Sequence, residues 1–179
     1  RAGSKGITDK NIKTLCGKTL IEWAACIGLQ SPSVTDTYIS TDSEVYESLA
    51  LGLGVKSAGL RSGDLATDSS KIYEALLDLL DRLEAQGQVY DYLLLLQPTA
   101  PIRSVSDIPR LTHMLENSKA DGVVSVTQHE EPHPYKLKTV SENGRLSPFM
   151  KGTSSEQARQ DMPVLYRLTG AYYLVRVSA

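Results

Sequence analysis

Five consecutive apolar residues, Tyr92-Leu93-Leu94-Leu95-Leu96, bounded by Asp91 and Pro98, constrain the fold of this chain more than any other stretch. A half-exposed strand alternates apolar with polar residues, and a helix needs a longer periodic stripe. An uninterrupted run of this length suits a central parallel strand buried on both faces. Such a strand requires helices above and below it.

The flanking sequence supplies those helices. Leu20, Ala24 and Ile27 recur at helical spacing and predict a helix over 19–29. Thr37-Tyr38-Ile39-Ser40 is a short β-type run. Thr41 and Glu44 follow at capping-box spacing, ahead of a helical face of Val45, Leu49 and Leu53 that ends near Gly54. Ile72, Leu76, Leu79, Leu80 and Leu83 form the clearest amphipathic stripe, closed by Gly87. Ser104 and Asp107 are expected to cap a helix carrying Val105, Ile108, Leu111 and Leu115, and Gly122–Thr127 reads as the next strand.

Strands alternating with helices predict an α/β fold with a mostly parallel sheet covered on both sides. Residues 128–168 break the rhythm with four prolines and a turn at Glu142-Asn143-Gly144, across which 136–139 and 145–147 can pair. This stretch reads as an excursion from the sheet, an arm that contacts a second subunit. The whole of 1–179 is expected to be one domain, read as a fragment with both flanks missing.

Composition narrows the function classes. A 41% hydrophobic content in 179 residues is enough for one sizeable core. The net charge of −2 gives no broad field for nucleic acid or anionic lipid, and no basic stripe interleaves with Trp23 or the tyrosines. No apolar run approaches the ~20 residues that cross a bilayer. Cys16 and Cys26 have neither CxxC spacing nor a nearby His, which fits core packing in a reducing, cytoplasmic compartment.

Positive charge is local instead. Residues 1–18 hold Arg1, Lys5, Lys10, Lys13 and Lys18 against Asp9 alone. In Arg1-Ala2-Gly3-Ser4-Lys5-Gly6 the glycines let backbone N–H groups approach a phosphate closely. Lys5 and Lys10 add point charges, and Arg1 offers a fork matched to phosphate oxygens. The loop suits a triphosphate, although the GxxxxGK[ST] spacing of a Walker loop is absent. A solvated lysine-rich surface loop is the alternative reading.

The second candidate cluster lies just past the apolar strand, where open α/β sheets bind ligands. Gln97, Thr99 and Arg103 sit there, between Pro98 and Pro101. A rigid connector whose polar groups satisfy only its own backbone is the alternative.

Taken in order, these pieces resemble the cytidylyltransferases that activate nonulosonic acids, the acylneuraminate cytidylyltransferase family. The resemblance is carried by Arg1–Gly6 with Lys10-Asn11-Ile12-Lys13, Ile39-Ser40-Thr41-Asp42 and Leu65-Ala66-Thr67-Asp68. It continues through Leu95–Arg103, Ala120–Val126, His133-Pro134-Tyr135-Lys136, Arg159–Pro163 and Tyr166–Ala171. Each piece is weak alone, and their shared order is specific.

The resemblance implies a three-layer Rossmann-like nucleotidyltransferase with a dimerisation arm. Arg1, Lys5 and Lys10 would hold the phosphates of CTP and act as the catalytic cations, with Lys10 nearest the α-phosphate. Gly3, Ser4 and Asn11 would position the nucleotide, and Arg61 with Ser69 and Ser70 would face cytosine and ribose. Gln97 and Thr99 would contact the sugar acid. Lys136 and Arg159 would reach from the arm into a partner's site, and Arg167 would face substrate or phosphate. Mg²⁺ would be the cofactor and a homodimer the assembly. The family's Asp-x-Asp lies beyond the Gly-Ala-Tyr strand, so no metal ligand is assigned within 1–179.

The implied reaction moves CMP from CTP onto the anomeric hydroxyl of N-acetylneuraminate and releases pyrophosphate. Pseudaminic, legionaminic and 3-deoxy-manno-octulosonic acids are alternative acceptors, the last least favoured because that branch carries an acidic turn where this chain has Gln97-Pro98-Thr99. A nucleotide-binding or dimerisation module without catalysis is a further alternative. His129-Glu130-Glu131-Pro132-His133 also matches HExxH, a zinc motif that works only on a helix. An interior proline costs a helix about 3 kcal/mol, so Pro132 argues against a helix and against zinc there.

Overall fold

The computed structural model describes residues 6–67, 69–152, 156 and 158–178. A small antiparallel ribbon, β1 (Thr14–Leu15) and β2 (Lys18–Thr19), opens it. It turns through Cys16 and Gly17, at φ 51° and 83°. Helix α1 (Leu20–Gln30) starts on a full capping box: Thr19 Oγ1 accepts from Glu22 N at 3.2 Å, and Glu22 Oε2 accepts from Thr19 N at 2.5 Å. Its buried face ends in Gly28, where an added Cβ would stand 2.7 Å from Thr37 Oγ1. Small residues therefore let α1 lie close against the segment that enters β3 (Tyr38–Ile39).

Helix α2 (Glu44–Gly52) departs from the expected cap. Ser43, not Thr41, is the N-cap, and its Oγ accepts from Tyr46 N at 3.4 Å. Thr41 is buried and accepts from Ser43 N at 3.2 Å, holding the turn before the helix. Because Glu44 is the first helical residue, it cannot be the reciprocal partner of a cap three positions back. Strand β4 (Lys56–Ser57) then pairs parallel to β3.

Helix α3 (Ile72–Ala85) buries Leu79 and Leu83 of the expected stripe together with Ala75, while Leu76 and Leu80 are half-buried and Ile72 is exposed. Arg82 on it donates to Ala58 O and Gly59 O at 3.0 and 2.8 Å, tying the helix to the segment after β4. Next come β5 (Tyr92–Leu95), α4 (Asp107–Glu116), β6 (Gly122–His129), the paired strands β7 (Lys138–Val140) and β8 (Leu146–Pro148), and β9 (Leu165–Arg176). Strand β9 lies between β5 and β6.

Two clusters make the core. In the first, Ile21 and Ala25 of α1 meet Tyr46 and Ala50 of α2 and Val55, with Ile12 and Ile39 against them. In the second, Ile27 of α1, Ile108 of α4 and Tyr172 of β9 meet Leu94 and Leu96. Side chains alternate along a strand, so Leu93 and Leu95 point to the opposite face. Residues of α1, α3 and α4 line one cavity together with all four leucines. Helices α1 and α4 thus pack on the Leu94 and Leu96 face.

Parallel pairing joins β3 to β4, whereas β5, β9 and β6 form a separate three-stranded sheet, so the leucine run differs from its reading as a central parallel strand buried on both faces. Strand β5 pairs antiparallel to β9, with Leu93 opposite Val175 and Leu95 opposite Tyr173. Leu93–Leu96 are only half-buried. The other edge of β5 faces a cavity of about 550 Å³ that separates it from β3. Every residue of 33–40 and of 89–98 lines this cavity. Alternating side chains cannot all reach one void, so the strands present their backbone edges to it. At its far end Tyr90 Oη donates to Asp36 at 2.6 Å and lies 3.2 Å from Tyr38 Oη, so the segments that enter β3 and β5 meet there.

The chain divides into two compact units, Arg1–Ser125 with Gly170–Ala179, and Val126–Thr169. The second contains the β7–β8 hairpin, whose register pairs Thr139 with Ser147.

Candidate active site

The basic loop is anchored on both sides of Lys10. Lys10–Ile12 form one 3₁₀ turn, entered through Asp9 at φ 51°. Asp9 Oδ1 accepts from Tyr46 Oη at 3.2 Å, and Ile12 packs on the first core cluster. Burial, then the hydrogen bond to Asp9, raises the Tyr46 hydroxyl above its ordinary pKa. Lys10 and Asn11 are therefore held between a side-chain hydrogen bond and an apolar anchor. Arg1, Gly3, Ser4 and Lys5, the rest of the loop's site, lie outside the described residues.

Four buried polar atoms in this unit have no hydrogen-bond partner among the described residues: Asn11 Oδ1, Ser40 Oγ, Arg61 Nε and Arg103 Nη1. A polar atom left unmet in the interior costs about 1–3 kcal/mol, so such atoms concentrate where a fold is completed by something else. Arg61 is fixed by its own N–H, which donates to Thr41 O at 2.7 Å, and its side chain is 9% exposed. Its Nη2 stands 3.8 Å from Asp42 Oδ1, a long ion pair that leaves the fork free to tilt. Ser40 and Arg61 both line the 550 Å³ cavity, and Gln97 lines it too. Lys10, Asn11, Thr99, Ser69 and Ser70 are not among its lining residues.

The two serines are unlike. Ser70 Oγ donates to Asp64 O at 2.8 Å, contacts Thr67 Oγ1 at 2.6 Å and accepts from Thr67 N at 3.0 Å, closing its own turn. Ser69 is exposed, with Oγ 3.1 Å from Thr67 Oγ1. Of the pair, Ser69 has hydrogen-bonding capacity to offer a ligand.

At the tip of β5, Gln97 O accepts from Ala100 N at 3.1 Å and from Arg103 Nη2 at 2.5 Å. Its side-chain Oε1 would be 3.0 Å from a Cβ on Gly170, a residue at φ 77°. Thr99 is exposed beside it.

In the second unit, Lys136 and Arg159 line one cavity of about 610 Å³ with His129, Glu131 and His133. Arg159 Nη2 pairs with Glu131 Oε1 at 3.0 Å, both side chains about two-thirds exposed. Lys136 ends a 3₁₀ turn capped by His133, whose Nδ1 accepts from Tyr135 N at 3.3 Å. Arg167 is exposed on β9 and does not line this cavity. The HExxH match is not a helix: His129 ends β6 and His133 precedes the turn. Their Nε2 atoms sit 3.1 Å from Pro132 O and 3.2 Å from Pro163 O. Among the described residues no three of His, Cys, Asp or Glu cluster as a metal site.

Residue reading missed Ser40 and gave Arg103 no role beyond the turn. A signal for Ser40 was present, because it ends a strand on the side where open α/β sheets bind ligands. No pattern in the sequence marks Arg103 as a tie to the distant Ala171 carbonyl.

The cytidylyltransferase family model matches residues 1–176. The CMP-N,N′-diacetyllegionaminic acid synthase of Legionella pneumophila is 34% identical over 176 residues, 97% of this chain and 74% of that protein. The N-acylneuraminate cytidylyltransferase of Streptococcus agalactiae is 33% identical, over 97% of this chain and 41% of its own length. Among solved structures, the CTP complex of CMP:2-keto-3-deoxy-manno-octonic acid synthetase superposes with a TM-score of 0.67 at 19% identity, covering 97% of this chain and 70% of the other. That likeness shows the fold, and enzymes of this kind generally use a divalent metal. The match over nearly the whole chain, on a fold shared with that synthetase, places this protein in the cytidylyltransferase family of nucleotidyltransferases.

Proposed function

We propose that this protein transfers CMP from CTP to the anomeric hydroxyl of a nonulosonic acid and releases pyrophosphate. One observation of geometry carries the nucleotide half: Asn11 Oδ1 and Arg61 Nε, on two residues read as nucleotide contacts, are buried without a hydrogen-bond partner among the described residues. The relatives named above, which make CMP-activated nonulosonic acids by their names, support the acceptor half.

The hydroxyl oxygen attacks the α-phosphorus of CTP, a phosphorus–oxygen bond forms to the acid, and the bond to the β-phosphate oxygen breaks. Both reactants are anionic, so the chain's part is to hold them together against repulsion and in line. Lys10 faces the α-phosphate, with Arg1 and Lys5 on the phosphates, Gly3 and Ser4 in the loop, and Asn11 on the nucleotide. Arg61 and Ser69, with Ser70 shaping the turn, face cytosine and ribose. Gln97 and Thr99 take the acceptor, and Arg167 faces substrate or phosphate. Mg²⁺ is the divalent ion of this proposal, and when bound it offsets phosphate charge. The described residues alone do not fit a metal ligand set, so none is assigned.

A homodimer is part of the proposal, with Lys136 and Arg159 serving a partner's acceptor site. The second unit exposes Val140, Leu146, Phe149, Tyr166 and Leu168 each by 60% or more, apolar area suited to a subunit contact. Both cysteines are free thiols, in keeping with a cytoplasmic enzyme.

The test is pyrophosphate release by the full-length protein with CTP, Mg²⁺ and, in parallel, N-acetylneuraminate, N,N′-diacetyllegionaminate, pseudaminate and 3-deoxy-manno-octulosonate. Release with at least one is expected, and Lys10→Ala should abolish it with an unchanged melting temperature. No release with any of the four removes the proposal.

A further inference from the structure

We infer that Arg103 is a positioning residue for Gln97, fixing through the backbone where the Gln97 amide presents itself to the acceptor. The inference rests on the reading of Gln97 as an acceptor contact. Arg103 is a half-buried cation whose Nη1 is shielded from solvent and whose hydrogen bonds converge. Its Nε donates to Ala171 O at 2.6 Å and its Nη2 to Gln97 O at 2.5 Å. One guanidinium thus ties the tip of β5 to the middle of β9. The guanidinium carbon lies 5.9 Å from the centroid of the Tyr172 ring, and Tyr172 Oη is itself fixed, donating to Ser104 O at 2.8 Å and accepting from Ser104 N at 2.9 Å.

The same tie sets the side chain of Gln97. Gly170 adjoins Ala171, the carbonyl that Arg103 holds, and a Cβ at Gly170 would stand 3.0 Å from Gln97 Oε1. That is closer than ordinary van der Waals contact, so the amide of Gln97 occupies space that only a glycine leaves open. Pulling β5 and β9 together at this point brings Gln97 against Gly170. Burial holds the Arg103 guanidinium below its usual pKa, and Nη1 has no partner among the described residues. A cation kept there without its full complement of acceptors is a costly structural choice. A lysine would supply one point donor in place of the fork and cannot bridge the two carbonyls in the same geometry.

The test uses the full-length protein with Arg103→Lys, Gln97→Ala, the double variant, and Gly170→Ala. Arg103→Lys should raise the KM for the acceptor at least tenfold while leaving the KM for CTP within about twofold. Added to Gln97→Ala, it should raise the acceptor KM no further, because its effect runs through that side chain. Gly170→Ala should shift the acceptor KM in the same direction. Independently of turnover, Arg103→Lys should speed hydrogen exchange at the Ala100 amide, which bonds Gln97 O, by tenfold or more. Equal rises in both KM values, full additivity with Gln97→Ala, or unchanged exchange at Ala100 would each overturn the positioning role. If Gln97→Ala leaves the acceptor KM unchanged, the acceptor reading of Gln97 fails, and the positioning claim with respect to the acceptor fails with it. Pyrophosphate release by such a variant would still uphold the cytidylyl transfer.

Discussion

Asp36 shows how a single carboxylate can tie two strands that do not touch. It accepts from Lys56 Nζ on β4 and from Tyr90 Oη ahead of β5, and those two hydrogen bonds, Lys56 first, hold its carboxyl below the usual range. Its folded pKa is depressed, so the stability it contributes is present above the unfolded value near 3.8 and is lost as pH falls through the folded value. Asp36→Asn should therefore flatten the acid limb of a stability–pH curve below pH about 4, where carboxylates of ordinary pKa titrate, and lower stability at neutral pH. Urea melts at pH 3 and pH 7 check both signs. Residue types at the site were legible because phosphate binding needs glycine and flexible cations in short spacing, as around Lys10. Asp36 and Tyr90 were not, since they act on partners 20 and 54 positions away, and Arg103, visible at the turn, was not readable as a tie to Ala171, 68 positions on.

Helix α1 and strand β6 set the tolerances of the elements around the site. Removing the Thr19 hydroxyl leaves Glu22 N without its cap, so Thr19→Ala should cost about 1 kcal/mol of stability, read by denaturant melts. Gly122 opens β6 so close to β9 that a Cβ would stand 2.9 Å from both Leu174 O and Val175 Cγ1. Gly122→Ala should destabilise by about 1–3 kcal/mol, the range of overpacking, with a lower melting midpoint and an unchanged denaturant slope. Helices were readable within one or two residues because apolar periodicity over three turns is a local signal, as in Ile72–Ala85. The leucine run was readable as a strand but not as a partner of β9. Pairing sense depends on a segment some 80 residues downstream, which periodicity does not register. The free backbone edges of β3 and β5 also escaped the sequence. Amides of β5 not bonded to β9 are expected to exchange faster than those of β9 itself, a contrast that mass spectrometry of exchanged peptides resolves.

At the scale of the whole molecule, the family match across residues 1–176 turns an ordered set of weak motifs into one assignment. Order along the chain was visible without coordinates, whereas convergence was not: Ser40, Arg61 and Gln97 come from three segments and meet at one cavity. The proposed dimer yields a complementation experiment. Lys10→Ala and Lys136→Ala should each be inactive alone. If the arm serves a partner's site, a mixture of the two should regain about one quarter of wild-type activity, because half of the dimers then carry one intact site of two. The central claim is that the α-phosphorus of CTP moves to the sugar acid. Full-length protein given CTP labelled at the α- or the γ-phosphorus, with the acceptor that supports turnover, tests it most directly. The α-label should appear in the sugar acid and the γ-label only in pyrophosphate. Label from the γ-position in the acceptor, or no α-label there, would contradict cytidylyl transfer.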